Sequence, residues 1–242
     1  MNRTLDRKLL IQDFAENGTS PELSLYLETA FIYASTENSI AVLSDLKDKV
    51  SHIFYGGLGD TLGIAAKGTH HRLDTIWEDE ILCRIHEKDI ERKQLEELCF
   101  FEFIRNGAAA DEHYMQSTLT MKDDRGKDLT VMHRIFYFIH GRAIRFALCL
   151  YTPVQSEQIS AIVHSPTGKM IAMAGINSSR ILSDRERQIL SLVDRGMSSK
   201  EISSQLSISL HTVSRHRQNI LARLRASNSA QACRIAKHLR LI

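Results

Sequence analysis

Near the carboxyl end, two serine-led capping boxes fix where helices begin. Ser183-Asp-Arg-Glu186 and Ser198-Ser-Lys-Glu201 each place a hydroxyl where it accepts the backbone N–H three residues on, while the glutamate reaches back to the serine N–H. Ile189, Leu190 and Val193 give the first helix its apolar stripe, and Gly196 ends it. The second helix is short, with Ile202 and Leu206 inside, and Ser207-Ile208 forms a turn. Ser209 caps a third helix. Its inward face is expected to hold Leu210, Val213, the stem of Arg217, Ile220, Leu221 and Leu224. His211, Ser214, Arg215, Gln218 and Ala222 form its outer face. A fourth helix runs from about Asn228 to Leu239 on Ala232, Ile235, Ala236 and Leu239.

Charge separates this segment from the rest. Residues 178–242 carry 12 Lys/Arg and 4 Asp/Glu, whereas the preceding chain holds 19 and 25, a split hidden by the whole-chain value of +2. Two short helices joined by a tight turn, the second basic and polar outside, form a helix-turn-helix pattern that suits a polyanion. Arg215 has the fork that pairs guanine O6/N7, and Gln218 the amide that pairs adenine N6/N7. The helix starts at Ser198 and Ser209 offer backbone N–H groups to phosphates. A four-helix bundle that binds an acidic protein is the alternative, and sequence-selective binding of duplex DNA separates the two.

The runs Leu182-Ser-Asp-Arg-Glu-Arg-Gln-Ile-Leu, Gly196-Met-Ser-Ser-Lys-Glu-Ile-Ser-Ser-Gln-Leu-Ser-Ile-Ser and Thr212-Val-Ser-Arg-His-Arg-Gln-Asn-Ile-Leu-Ala-Arg-Leu resemble the LuxR (FixJ, GerE) type of helix-turn-helix. The resemblance implies a four-helix domain with its third helix in the major groove and its fourth often at a dimer contact. Ser214, Arg215 and Gln218 would then face bases. Ser198, Ser199, Lys200, Ser209, Thr212, His216 and Arg223 would lie along phosphates, with Glu201 and Asn219 structural. Ser214 stands where the family commonly has lysine, which shifts reading toward Arg215.

The first part of the chain reads as α+β. Residues 5–35 look helical, with a break at Asn17-Gly18 and Pro21. Ile40-Ala-Val-Leu and His52-Ile-Phe-Tyr-Gly-Gly are strand-like, 60–86 is short-helical and irregular, and Glu87 to Arg105 is a long amphipathic helix. Gln116–Met121, Leu129–His140 and Ala143–Tyr151 read as three strands in two hairpins. Asp123-Asp124 beside Gly126 is turn chemistry rather than a metal or phosphoacceptor pair. Ile159–His164 and Lys169–Met173 flank Ser165-Pro-Thr-Gly168, a hairpin that either extends the sheet or bridges to the basic segment.

This order, with Ile53-Phe-Tyr, Leu62-Gly63, Ile85-His-Glu-Lys-Asp89, Arg125-Gly126 and Val131-Met-His-Arg134 as landmarks, resembles a PAS domain over roughly 38–152. The resemblance implies an antiparallel sheet with helices across one face, and a cavity or a dimer scaffold between them. Trp77, Phe100, Phe103, Met132, Phe136, Phe138 and Phe146 are the candidate lining of a small-molecule pocket, with ordinary core filling as the alternative. The expected organisation is a helical segment at 1–36, a PAS-like sensor or dimerisation domain at 37–152, a hairpin and linker at 153–177, and an all-α LuxR-type domain at 178–242.

His70, His71, His86, His113 and His133 show no metal-ligand spacing, and Cys83, Cys99, Cys149 and Cys233 form no C-x-x-C pair. No cofactor and no metal is therefore expected, and any small ligand of the PAS-like part is undefined. Glycine-rich phosphate loops, G-x-S-x-G and H-E-x-x-H are absent, so an enzyme is not expected. One Trp and no Tyr-Pro-x-x-Trp disfavour a lactone-binding quorum-sensing domain, the less favoured alternative. No apolar run nears the roughly 18 residues of a membrane span. The sequence thus points to a cytoplasmic regulator that binds double-stranded DNA as a homodimer and acts on the transcription machinery.

Overall fold

The computed structural model describes residues 9–12, 14, 23–156, 160–173, 182–224, 226–238 and 241–242. The expected break at Asn17-Gly18 and Pro21, the connecting stretch 174–181, and Leu239 lie outside the described residues. The chain divides into two compact units, one over 6–171 and one that holds 172–242. The fold class is α+β: an eight-stranded antiparallel sheet in the first unit and helices in the second.

Helix α1 (Leu23–Thr36) leads the first unit. Strands β1 (Ile40–Asp45), β2 (Val50–Tyr55), β3 (His70–Leu73), β4 (His113–Lys122), β5 (Asp128–His140), β6 (Ala143–Pro153), β7 (Ala161–His164) and β8 (Lys169–Ala172) form one sheet in the order β3-β2-β1-β6-β5-β4-β7-β8. Helices α2 (Gly57–Thr61), α3 (Asp79–Leu82) and α4 (Glu87–Arg105) separate its early strands. The long helix has the bounds its apolar period predicts, and Asp89 accepts the Thr120 N–H at 2.8 Å, which pins its first turn to β4. The hairpin after β6 extends the sheet, since β7 pairs with β4 from His113↔His164 to Gln116↔Ala161. Asp123 Oδ1 accepts the N–H groups of Arg125 and Lys127 at 2.9 and 2.7 Å, so it builds the β4–β5 turn.

Strand β3 falls inside the stretch read as irregular. Its sequence, His-His-Arg-Leu, has no apolar alternation because it lies at the sheet edge, half exposed. At the end of β2, a Cβ on Gly56 would collide with the carbonyls of Ala34 and Ser39, which explains the glycine there.

Strand alternation sends side chains to two covered faces. Ala41, Leu43, Phe54, Phe146, Leu148 and Leu150 pack with Ala30 and Ala34 of α1. Small residues on α1 let it lie close to the sheet, and Tyr26 meets the rings of Phe138 and Phe146 at 4.8 and 4.7 Å. On the opposite face α4 covers β5 and β6, with Phe100 stacked on Tyr137 at 5.1 Å. Helices therefore lie on both faces, where the PAS resemblance implies one.

The second unit holds α5 (Asp184–Asp194), α6 (Ser199–Leu206), α7 (Leu210–Leu224) and α8 (Ser229–His238). Both capping boxes are formed, at Ser183/Glu186 and Ser198/Glu201. Gly196 takes φ +85 and closes α5, its N–H bonded to Val193 O at 2.9 Å. The core is Ile189, Leu190, Leu192, Ile202, Val213, Ile220, Leu224, Ala232, Ile235 and Ala236. Leu210, expected inward, is 52% exposed: it is the first residue of α7 and lies before the turn that packs.

Candidate nucleic-acid interface

The turn between α6 and α7 is built from serines. Ser207 adopts the left-handed conformation at φ 52, and Ile208 N–H bonds to Ser203 O at 3.2 Å. Ser203 Oγ donates back to Ile208 O at 2.6 Å. Ser209 Oγ then accepts Thr212 N–H at 3.0 Å and caps α7. Arg185 closes the other side by donating to Leu206 O at 3.0 Å, one of the last free carbonyls of α6.

Arg217 holds the three helices in register. Its guanidinium donates to Ser199 Oγ and to Ser229 Oγ, both at 2.8 Å, and so joins α7 to the starts of α6 and α8. With the half-buried Arg217 side chain on the inner side, the surface at Ser214, Arg215 and Gln218 is turned outward, and all three are exposed. His211 and Ala222 are exposed on the same face. Among the described residues neither Arg215 nor Lys200 has an ion-pair partner, and both cations stand in solvent.

The seven residues expected along phosphates differ in what already engages them. Lys200 is exposed. Ser209 and Thr212 share a hydroxyl hydrogen bond of 2.8 Å at the start of α7. Ser199 has given its hydroxyl to Arg217. Ser198 N–H already donates to Glu201 Oε2 at 2.7 Å, so a resident carboxylate sits at the start of α6. The Ser198 hydroxyl and N–H hold the Glu201 carboxyl below its usual range. Arg223 lies 3.5 Å from the buried Glu186 carboxylate and stays half exposed. His216 is half-buried, and its Nδ1 has no hydrogen-bond partner among the described residues. The start of α7 carries no acidic residue in its first turn, which distinguishes it from the start of α6 as a place for an anion.

The aromatic set in the first unit does not come together. Phe136, Phe138 and Phe146 belong to the α1 face. Phe100 lies on the α4 face against Tyr137, and Phe103 meets His113 at 5.3 Å. Met132 shares the parity of Phe136 and Phe138 on β5, opposite to that of Tyr137, and Trp77 is half-buried in the segment before α3. A two-residue period across β5 separates them, so the seven do not line one cavity.

The α4 face instead gathers polar groups that the sequence does not advertise. Lys93, Glu97, Glu78, His133, Cys149, Tyr137 and Tyr151 are all buried. Lys93 Nζ lies 2.7 Å from Glu97 Oε1 and 3.7 Å from Glu78 Oε1, and Tyr151 donates to Glu78 at 2.6 Å. Burial works to discharge Lys93, but the Glu97 and Glu78 carboxylates outweigh it and hold the ammonium above its usual value. His133 is driven well below its usual value by burial and then by Lys93 and Arg92, which keeps the ring neutral. Burial also pushes the Cys149 thiol and the Tyr137 and Tyr151 phenols well up. Their positions could be anticipated only from parity: 133, 135 and 137 share one face of β5, and register sets Cys149 and Tyr151 beside Ile135 and His133 on β6.

Residues 180–236 match the model of the family described as bacterial regulatory proteins, luxR family. The transcriptional regulatory protein FixJ of Rhizobium meliloti (strain 1021) is 44% identical over 55 residues, a match covering 23% of this chain and 27% of that protein. The chain thus spans about a quarter of the length of that curated relative. Among solved structures, a phage VqmA–DPO complex is similar over 90% of this chain and 91% of its own, at 12% identity and a TM-score of 0.31. A Vibrio cholerae VqmA dimer without target DNA is similar over 91% and 89%, at 13% identity and a TM-score of 0.31. On the family match, the capped helices and the serine-built turn, the carboxyl-terminal unit is a helix-turn-helix domain of the luxR family.

Proposed function

We propose that this protein is a DNA-binding regulator of transcription, without enzymatic activity, whose helix α7 reads the major groove. The observation that carries this reading is the outward row Ser214, Arg215 and Gln218 on a helix locked by Arg217, with Arg215 exposed and free of any carboxylate among the described residues. Small Ser214 lets the backbone approach the base edges, and Arg215 and Gln218 carry the hydrogen-bonding patterns for guanine and adenine. Lys200, Ser209 and Thr212 flank this row as phosphate contacts, joined by the half-exposed Arg223.

The antiparallel sheet with α4 across it supports a PAS-like role for the first unit, as a sensor or a dimer scaffold. A homodimer would present two α7 helices to half-sites about one helical turn, roughly 10 bp, apart. A signal that favours one arrangement of the pair would change their spacing by population shift. In this reading the protein is cytoplasmic and acts on the transcription machinery; no described helix is long and apolar enough to cross a membrane.

The test is selection of duplex sites from a random pool by the full chain, followed by anisotropy titrations of the selected duplex. Affinity should fall steeply with salt, with a log–log slope of about −0.9 per phosphate neutralised. Arg215→Ala should cost about 1–3 kcal/mol on the selected site and relax one base position. Equal affinity of parent and variant for every duplex would overturn the groove assignment.

A further inference from the structure

We propose that Glu97 of α4, His133 of β5 and Cys149 of β6 form a binding site for a divalent transition-metal ion, zinc(II) by ligand type. One ligand atom from each lies within 4.8 Å of the other two, and all three residues are buried. Glu97 Oε1 stands 3.7 Å from His133 Nε2. Tetrahedral zinc with bonds of about 2.0–2.3 Å sets its ligand atoms roughly 3.3–3.8 Å apart, so the cluster needs only small side-chain rotations to close on an ion.

Two independent features point to a ligand here. His133 exposes none of its surface, and neither ring nitrogen has a hydrogen-bond partner among the described residues. A buried imidazole without a partner is costly, and a metal bond to one nitrogen removes that cost. The second feature is charge. Two buried carboxylates, Glu78 and Glu97, face one ammonium, Lys93. The ion adds two positive charges, and coordination of Cys149 releases its proton to solvent and adds one negative charge. The cluster then becomes neutral. Lys93 stays on Glu97 Oε1 and fixes that carboxylate, while the Tyr151 ring lies 4.9 Å from the His133 ring and limits its rotation. One thiolate, one imidazole and one carboxylate form a mixed S, N, O set that suits zinc over magnesium or calcium.

The full chain, stripped with a chelator and then given zinc or cobalt(II), tests the site without any DNA readout, so it stands apart from the regulator reading. One metal per chain should survive gel filtration. The cobalt form should show thiolate-to-metal charge transfer, which Cys149→Ser removes and Cys83→Ser and Cys99→Ser retain. No stoichiometric metal in the parent, or charge transfer that persists in Cys149→Ser, overturns the proposal. Should Cys149→Ser fail to fold, X-ray absorption of the zinc-loaded parent decides: one sulfur at about 2.3 Å with nitrogen and oxygen near 2.0 Å supports the site, and a shell without sulfur rejects it.

Discussion

Among the described residues the carboxyl-terminal unit buries one charged side chain, Glu186, whereas the sheet unit buries a cluster of them. In the carboxyl-terminal unit, Arg215 and Lys200 stand in solvent, and the core is a small set of aliphatic residues. In the sheet unit, Lys93, Glu78, Glu96, Glu97, Asp89 and His133 are buried. Exposed cations keep their hydration until a polyanion displaces the water and its counterions. Buried charges have lost that hydration, so each must be answered by a partner within the fold. The first arrangement suits an outside polyanion, and the second answers its charges within the fold.

The contrast breaks most sharply at Lys93. Lys93→Ala leaves Glu78 and Glu97 buried without their cation and should destabilise the sheet unit by about 3–5 kcal/mol in urea unfolding. Trp77, the only tryptophan, lies in that unit and reports it by fluorescence. A change below about 1 kcal/mol would mean the cluster tolerates the loss, and that the ammonium is not what balances it.

Arg217→Ala is the corresponding cut in the helical unit. It removes the bonds to Ser199 and Ser229, each about 0.5–1.5 kcal/mol, and should lower duplex affinity together with helical stability, leaving Trp77 unchanged. Affinity lost without any loss of stability would make Arg217 a DNA contact rather than a brace.

A third test concerns acid. Asp89 is pushed up by burial, but the Thr120 N–H and Arg92 outweigh this and hold its carboxyl below the ordinary 3.8. Its contribution is therefore fully present above about pH 4 and is lost as pH falls through the lower folded value. Asp89→Asn should flatten the acid limb of the Trp77-monitored stability curve; an unchanged limb would assign acid sensitivity elsewhere. The smallest effect belongs to Ser207, whose φ of 52 strains a residue with a Cβ. Ser207→Gly should change helical stability by less than about 1 kcal/mol, in the stabilising direction, and leave affinity intact. A clear loss on calorimetry would show that the Ser207 side chain contributes to the turn.

Local chemistry made much of the molecule legible. Helix α4 has the bounds its apolar spacing indicates, and the capping boxes fall at Ser183 and Ser198. Asp123 organises the hairpin through its own near neighbours. Strand β3 was hidden because an edge strand need not alternate, and Leu210 because the first residue of a helix carries no packing information. The aromatic set shared composition but not parity, and strand period divided it.

Helix starts, turns and the outward polar row of α7 follow from residues within four positions of one another, where hydrogen bonds close without knowledge of the rest of the chain. The meeting of Glu97, His133 and Cys149 does not. Those residues come from three elements, 36 and 16 positions apart along the chain, and only the pairing of β5 with β6 beneath α4 sets them side by side. Register between distant strands is fixed by collective packing rather than by neighbours, so tertiary structure alone decided that those groups share one buried space.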